Sequence, residues 1–387
     1  MRIVITSNYE LGNETGSAKV AEELAEKVSI RNKVLFICLG TKFRIYKKNK
    51  NLEILEVTSV NIKNIFVPII TPIIMYQVFK KLDLFKPDVV HAQNSILTSS
   101  LVQMWSMLNN TPFVVTFHHV PSEPIKHLVP HLSKNLLFNL VQDIYKNTSL
   151  KNFLKNSDLV IAQNDLIYKS IRTIDKKVAI EIINNGIEIK KLNQLRIQKK
   201  DWVMNKSKVI NFVFLGSFNY RKNQLFLVKT FKYLPFNYVL NLYGNFKSGG
   251  EYLNQIKDLI SKNKISNINI YDFELNINKV FEKNDYLVSA SKKEAQSLVI
   301  IQSLAAGKPI IGISNETIDE LINNTNGLAV KKGVSPKNFA HQIIKFTKEN
   351  NYVALSKKCV EDSKKFDINL VVSKIEDCYQ RLSNSSR

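Results

Sequence analysis

The sequence predicts an α/β protein built from two doubly wound, Rossmann-like domains, and three observations carry that expectation. Short apolar runs alternate with helix-period patterns from end to end, the grammar of βαβ units and parallel sheets. That grammar stops in a polar, Lys- and Asn-rich stretch near residues 190–208 and then starts again. The length, 387 residues, is more than one core organises and suits two. Two such domains facing each other would leave a cleft lined by strand C-termini, where open α/β sheets bind ligands.

Taken in order, the first domain (1–190) offers strands at Arg2–Thr6, Val34–Leu39, Leu52–Val57, Asp88–His91, Phe113–Phe117, Asp158–Ala162 and Val178–Ile183. Helical patterns separate most of them. Ser17–Val28 puts Ala18, Ala21, Leu24, Ala25 and Val28 on one face, and Ile96–Leu108 is a second. A linker is expected over 191–208. The second domain (209–365) offers strands at Val209–Leu215, Tyr238–Tyr243, Ile268–Tyr271, Tyr286–Val288, Ile310–Ile313 and Leu328–Val330. Everything after Ser335 reads as helix, and the last segment, 366–387, is a candidate to pack back on the first domain.

Composition narrows the classes. Hydrophobic residues make up 44% of the chain, enough for large cores. Cys38, Cys359 and Cys378 are far apart and form no C-x-x-C pair, which fits a reduced, cytoplasmic compartment. Met1–Thr6 runs straight into a strand with no signal-peptide apolar region. The apolar run Asn64–Phe79 contains Pro68 and Pro72 and falls short of the roughly 20 residues of a spanning helix, so no transmembrane segment is expected. The net charge of +22 reads either as attraction to anions or as a Lys-, Asn- and Ile-rich composition. Basic residues are spread along the chain and not interleaved with aromatics on one face, so a specific nucleic-acid site is not indicated.

The richest stretch is Asp285–Leu321. A buried strand, the polar loop Ser291–Ser297, a helix starting near Ser297, a turn at Gly307-Lys308-Pro309 and another strand follow one another. Glu294 stands just before the helix N-terminus, whose amides and dipole favour a phosphate. Gln302 lies one and a half turns into that helix, facing the same mouth, the shape of a nucleotide-sugar diphosphate site.

Other strand ends add to it. Phe214-Leu215-Gly216 leads through Ser217 to Arg221 and Lys222, a cationic pair suited to a diphosphate and to leaving-group charge. Tyr243-Gly244-Asn245 repeats the strand-then-glycine pattern. Gly12 and Gly16 follow the first strand and do not match G-x-G-x-x-G, so a nicotinamide cofactor is not indicated. His91 and His118-His119 follow two strands. A substrate contact is favoured for His118, while for His91 a contact and a loop-bonded histidine weigh equally. His127 and His131 are four apart, but Pro130 interrupts their helix and no carboxylate accompanies them, so no metal site is expected. Asn184-Asn185-Gly186 reads as a tight turn at the domain hinge.

These pieces, in this order, resemble the retaining glycosyltransferases of family 4, glycosyl transferases group 1, which have the two-domain GT-B fold. The resemblance runs through the Gly12/Gly16 loop, His118, Asn184–Glu188, Gly216–Lys222 and, most specifically, Glu294–Pro309. It implies that Lys222 and Arg221 hold the donor diphosphate and that Glu294 touches the donor sugar. Gln296, Ser297 and Leu298 would bind sugar or phosphate through their amides. Gln302 would face the ribose, and His118 would stand beside the reacting sugar. Gly16, Gly216 and Gly244 complete the donor-binding set. Catalytic residues by this resemblance are His118 and Glu294, with no metal and no cofactor beyond the nucleoside diphosphate sugar itself. Three departures stand out: Gln302 replaces the family's usual second Glu, Ser217 replaces a common arginine, and Ala295-Gln296-Ser297 replaces a glycine-rich loop.

The expected function is therefore metal-independent sugar transfer, with retention, to a carbohydrate or lipid-linked acceptor, of the kind that builds cell-envelope polysaccharides and glycans. A non-catalytic partner subunit on the same fold, motivated by Gln302 and Ser217, and a nucleotide-sugar epimerase are the alternatives. The apolar run Asn64–Phe79 with the basic patch Lys42–Lys50 offers a peripheral contact with an anionic membrane surface at its inner face, against a buried helix or loop as the other reading.

Overall fold

A computed structural model describes residues 1–13, 15–62, 65–95, 97–121, 149–193 and 209–385. The chain divides into two compact units, Met1–Gly186 together with Ile368–Arg387, and Ile187–Asp367.

The first unit carries β1 (Arg2–Glu10), β2 (Lys33–Gly40), β3 (Arg44–Lys47), β4 (Leu52–Ile62), β5 (Ile65–Pro68), β6 (Val89–Gln93), β7 (Phe113–Phe117), β8 (Leu159–Ala162) and β9 (Ile180–Ile182). They form one nine-stranded sheet in the order β3-β4-β2-β1-β6-β7-β8-β9, with β5 paired to β4. Pairing is parallel except for β3 and β5, which both run antiparallel to β4. The central strands read as unbroken apolar runs because helices cover both faces; every residue of β2 after Lys33 is buried. Three strands in the protein begin beside an aspartate that accepts a neighbouring strand's amide. Asp88 takes Arg2 N–H at 2.8 Å, Asp158 takes Phe113 N–H at 2.7 Å and, in the second unit, Asp285 takes Asn211 N–H at 2.9 Å.

The helix Ile368–Ser385 belongs to this first unit and buries Ile368, Val371, Val372, Ile375, Cys378 and Tyr379, a stripe at helical spacing. It joins Ile3, Ile5, Leu24 and Val28 in one core. A Cβ on Gly186 would lie 2.6 Å from the Ile368 side chain and 2.9 Å from its Cα, so the strand-exit backbone and this helix meet only because residue 186 is glycine.

The second unit holds β10 (Ile210–Leu215), β11 (Tyr238–Tyr243), β12 (Ile268–Tyr271), β13 (Tyr286–Ser289), β14 (Ile310–Ile313) and β15 (Gly327–Val330). Its six parallel strands run β12-β11-β10-β13-β14-β15, a doubly wound order. Among the parallel strands of each sheet the order reverses once, between β1 and β6 in the first and between β10 and β13 in the second. Ligands bind beyond the strand C-termini at such switch points.

Several expectations need correction. The first unit ends at Gly186 and not at residue 190, because Ile187, Ile189 and Leu192 are buried in the second unit's core with Phe281 and Ile301. Asn184-Asn185-Gly186 forms no tight turn; its asparagines bond to the neighbouring strand-end residue Gln163. The stretch 64–79 is neither one buried helix nor a loop. Its β5 pairs back on β4, and Thr71 caps the helix Pro72–Phe85 by accepting Ile74 N–H at 3.2 Å. Of its side chains, Ile69, Ile70, Ile73 and Tyr76 are exposed. The His127/His131 pair, most of the 191–208 linker and most of the acceptor-side loop Val120–Asn156 lie outside the described residues.

Candidate functional site

At the second unit's switch point, three loops following β10, β13 and β14 are tied together. Gly216 leaves β10 at φ +152°, a backbone region glycine adopts freely, and its N–H reaches Tyr243 O at 3.0 Å. The next turn is fixed by Asn219, whose Oδ1 accepts Lys222 N–H at 3.0 Å, and by Asn223, which adopts φ +57° and donates to Ala290 O at 3.2 Å. Lys292 N–H then reaches Arg221 O at 2.8 Å. From β14's side, Asn315 donates to Ser291 O at 2.9 Å, Glu316 accepts Glu294 N–H at 3.2 Å, and Thr317 accepts Ser297 N–H at 3.3 Å.

This bracing brings Arg221, Lys222 and Glu294 into one ion cluster. Lys222 Nζ donates to Glu294 Oε1, and Arg221 Nη1 donates to Glu294 Oε2 at 3.2 Å and to Lys293 O at 2.9 Å. The Glu294 and Lys222 side chains are 10% and 14% exposed, whereas Arg221 keeps 40%. Burial alone pushes the Glu294 carboxyl up. The Lys222 ammonium and Arg221 guanidinium outweigh that and hold it below its ordinary 4.5. Two cations facing one carboxylate leave net positive charge at the mouth.

The helix Leu298–Ala305 starts beside this cluster. Ser297 caps it without a side-chain hydrogen bond, and the amides of Leu298 and Val299 have no acceptor among the described residues. Gln296, Ser297, Leu298 and Gln302 are all partly buried; Leu298 and Gln302, four apart, share one helix face, on which Leu298 also packs against the core. Gly244 serves packing: a Cβ there would stand 2.4 Å from Gly216 O and 2.9 Å from the Phe218 ring. Beyond it Tyr243 and Tyr271 stack at 4.6 Å.

In the first unit the described groups bonded around His118 are neutral. His118 follows β7 and is partly buried; its N–H reaches Asn94 Oδ1 at 2.9 Å. Its Nε2 faces Gln93 Oε1 at 2.6 Å and its Nδ1 faces Gln163 Nε2 at 2.5 Å. Burial pushes His118 down to about 3, and His91, fully buried, to about 3 as well. His91 bonds to Tyr379 Oη at 2.5 Å and Thr116 Oγ1 at 2.8 Å, so it is a satisfied interior histidine with no open side for a ligand. Gly16 opens the helix Gly16–Val28 and is exposed; Gly12, at φ +77°, precedes it and donates to Glu22 at 2.7 Å.

The sequence reading missed Gln93, Gln163 and Glu316. A signal existed for the glutamines: Asp88-Val89-Val90-His91-Ala92-Gln93 and Asp158-Leu159-Val160-Ile161-Ala162-Gln163 share one pattern, an aspartate, an apolar strand and Ala-Gln at its end. Among the described residues no three His, Cys, Asp or Glu side chains converge as a metal-binding group.

Residues 15–191 match the model of Glycosyltransferase Family 4, and residues 196–366 match that of Glycosyl transferases group 1. An alpha-monoglucosyldiacylglycerol synthase of Streptococcus pneumoniae is 24% identical over 62% of this chain and 55% of its own length. An uncharacterised glycosyltransferase of Methanocaldococcus jannaschii is 29% identical over 59% of this chain and 58% of its own. The chain thus spans little more than half the length of these curated relatives. Among solved structures, sucrose-phosphate synthase from Thermosynechococcus elongatus superposes with a TM-score of 0.79 at 15% identity, covering 99% of both chains. The Anabaena protein HepE, in complex with UDP and glucose, superposes at 0.74 with 15% identity over 98% of this chain and 99% of its own. These likenesses give the fold, two Rossmann-like domains of the GT-B kind.

Proposed function

As the chain belongs to the glycosyltransferases of group 1 and family 4, we propose that it moves a sugar from a nucleoside diphosphate sugar to a carbohydrate or lipid-linked acceptor, with retention and without a divalent ion. The observation that carries this is the Arg221–Lys222–Glu294 cluster beside the open N-terminus of Leu298–Ala305. Breaking the bond between the sugar's anomeric carbon and the diphosphate oxygen puts negative charge on that oxygen. Lys222, Arg221 and the Leu298 and Val299 amides are positive groups already fixed where it would build up, and they need no reorganisation when it does. Glu294 orients both cations and offers its carboxylate to sugar hydroxyls once the diphosphate takes over Lys222. Gln302 and its helix face receive the ribose, with the Tyr243–Tyr271 stack nearby for the base.

On the first unit, the resemblance to family 4 assigns His118 to the reacting sugar. Its lone pair at Nδ1 is engaged by Gln163, so it serves as a neutral polar wall and not as the base. The acceptor hydroxyl's proton then passes to the departing phosphate oxygen. The exposed Ile69, Ile70, Ile73 and Tyr76, with Lys80 on the same helix as Tyr76, suit shallow insertion at an anionic inner membrane surface, where a lipid-linked acceptor would lie. No helix among the described residues is long and apolar enough to cross a membrane.

The test is a thermal-shift and turnover panel with UDP, GDP, ADP, CMP and their sugars, run with and without EDTA. Saturation at a hundredfold excess over Kd adds about 2.7 kcal/mol to the native state. A rise with one nucleotide, lost in Lys222→Ala, with EDTA-insensitive turnover, bears the reading out. No response to any nucleotide favours a non-catalytic partner subunit. Flotation with anionic vesicles, abolished by Ile73→Asp, checks the membrane contact.

A further inference from the structure

The first unit holds a run of hydrogen-bonded side chains that starts on its terminal helix and ends on His118. Tyr379, fully buried, meets His91 Nδ1 at 2.5 Å. On the far side of the His91 ring, Nε2 faces Thr116 Oγ1 at 2.8 Å and Gln93 Nε2 at 3.2 Å. The other end of the Gln93 amide, Oε1, faces His118 Nε2 at 2.6 Å. Gln163 closes the run: its amide nitrogen sits 2.5 Å from His118 Nδ1 and 2.6 Å from Asn185 Oδ1.

Donors and acceptors along this run can be assigned in one consistent way. Gln163 has two N–H groups, one for Asn185 Oδ1 and one for His118 Nδ1, so Nδ1 must be the lone-pair nitrogen. His118 Nε2 therefore carries the proton and donates it to Gln93 Oε1. That orientation turns the Gln93 NH2 toward His91 Nε2, which is then unprotonated and accepts from the Thr116 hydroxyl as well, and His91 Nδ1–H points at Tyr379 Oη. The Gln93 backbone is held as well, which fixes where the side chain starts: its N–H reaches Thr6 Oγ1 at 3.4 Å and its C=O accepts from Asn8 at 3.0 Å. Reversing any one amide or imidazole would set donor against donor at the next contact. Burial lowers His91, His118 and His119; it also raises Tyr379, as do Cys378 and the Glu376 carboxylate on the same helix.

We propose that Gln93 and Gln163 are positioning residues that lock His118 as its neutral Nε2–H tautomer, and that Tyr379, acting through His91, fixes Gln93. The terminal helix thereby has a function in the site besides closing the first unit's core. The catalytic consequence rests on the reading that His118 stands beside the reacting sugar. A ring held in one tautomer and one plane presents an unchanging edge, whereas a free ring would sample both tautomers and rotate.

The experiment is 15N NMR of the full chain with labelled histidine, alongside steady-state kinetics, for the wild type and for Gln93→Leu, Gln163→Leu and Tyr379→Phe. The wild type should show His118 neutral, protonated on Nε2 and unmixed from pH 8 to 5. Either glutamine variant should give a tautomer mixture, with kcat lowered on the order of 10- to 100-fold and donor KM changed less than threefold. Tyr379→Phe removes one oxygen, and should produce the same spectral change in milder form. Melting curves identify any variant that fails to fold, and Tyr379→Phe, nearly isosteric, keeps the test alive if both glutamine variants do. A wild-type His118 protonated on Nδ1 or mixed, or variants whose His118 signal stays unmoved, overturns the proposal. If the tautomers shift as stated but no nucleotide sugar is ever turned over, the positioning stands and the glycosyltransferase reading falls.

Discussion

The two units share a winding order yet build opposite chemistry at their switch-point ends. In the second, strand ends carry Arg221, Lys222 and Glu294, all ionised and braced against one another. In the first, the equivalent positions carry Gln93, His118, Gln163 and Asn185, neutral groups bonded into a row. Charge is concentrated where a diphosphate would need it, and the described groups around His118 are directional dipoles of the kind that match sugar hydroxyls. The same backbone solution thus leaves site chemistry to the loops that follow the strands, which is why fold alone does not fix function.

The largest effect expected from breaking this contrast is Lys222→Ala. It removes the least exposed cation and leaves the Glu294 carboxylate buried with Arg221 alone. Losing one preorganised donor of this kind costs about 2.7–4 kcal/mol, a 10²- to 10³-fold fall in turnover. Steady-state kinetics with the donor found by thermal shift would measure it, and an unchanged kcat would remove the second unit's claim to the chemistry.

Acid should separate the units next. His91 and His118 are held near pH 3 and His119 near 4, against 6.5 when unfolded. Their neutral forms contribute stability that is whole above pH 6.5 and drains as pH falls from there toward the folded values. For fully buried His91 the loss is roughly 1.4 kcal/mol per pH unit. Glu294, lowered from 4.5, contributes stability that is whole above 4.5 and lost only as pH falls through its lower folded value. Between pH 6.5 and 4.5 the first unit should therefore weaken while this part of the second does not. Hydrogen exchange resolved by peptide at pH 7 and pH 5 reads this directly, and equal loosening of both units would sink it.

Glycine loops give a third contrast. Gly244 is packed so closely that an added Cβ would overlap Gly216 O, while a Cβ on Gly12 meets nothing within 4 Å. Gly244→Ala should cost about 1–3 kcal/mol by overpacking, and Gly12→Ala about 1 kcal/mol from its positive φ alone. Denaturant melts would rank them, and a reversed order would mean the second unit's loop is looser than its geometry.

How much of this was legible in the sequence follows from the same physics. Buried parallel strands announce themselves as apolar runs, so Phe113–Phe117 and Tyr238–Tyr243 were read to the residue. Glu294 was singled out because it stands just before a helix N-terminus, and Lys222 because a cationic pair follows a strand and its glycine. Edge strands β3 and β5 were not, since Arg44–Lys47 is mostly exposed and Ile65–Pro68 is only four residues long. The glutamines escaped for another reason: an amide at a strand end reads as a cap or a solvated residue, and only the pairing of β6, β7 and β8 brings Gln93 and Gln163 to opposite sides of one imidazole.

The smallest expected effect sharpens the contrast most finely. Gln302 puts an amide where a carboxylate would extend the second unit's charged character. It sits partly buried on the helix Leu298–Ala305, with its side chain on the face shared with Leu298. Gln302→Glu would exchange a neutral acceptor for an ionised one, and hydrogen bonds from ribose hydroxyls to a carboxylate are roughly twice as strong as to an amide. Against that gain, a new negative charge near the diphosphate offsets part of what Arg221 and Lys222 supply. The two effects act on different parts of the donor, so a binding series can separate them. Nucleoside affinity should rise by about fivefold, near 1 kcal/mol, while the diphosphate increment should shrink. Calorimetry with the nucleoside, its monophosphate and its diphosphate would show both trends. A uniform change across the three would mean that position 302 does not face the ribose.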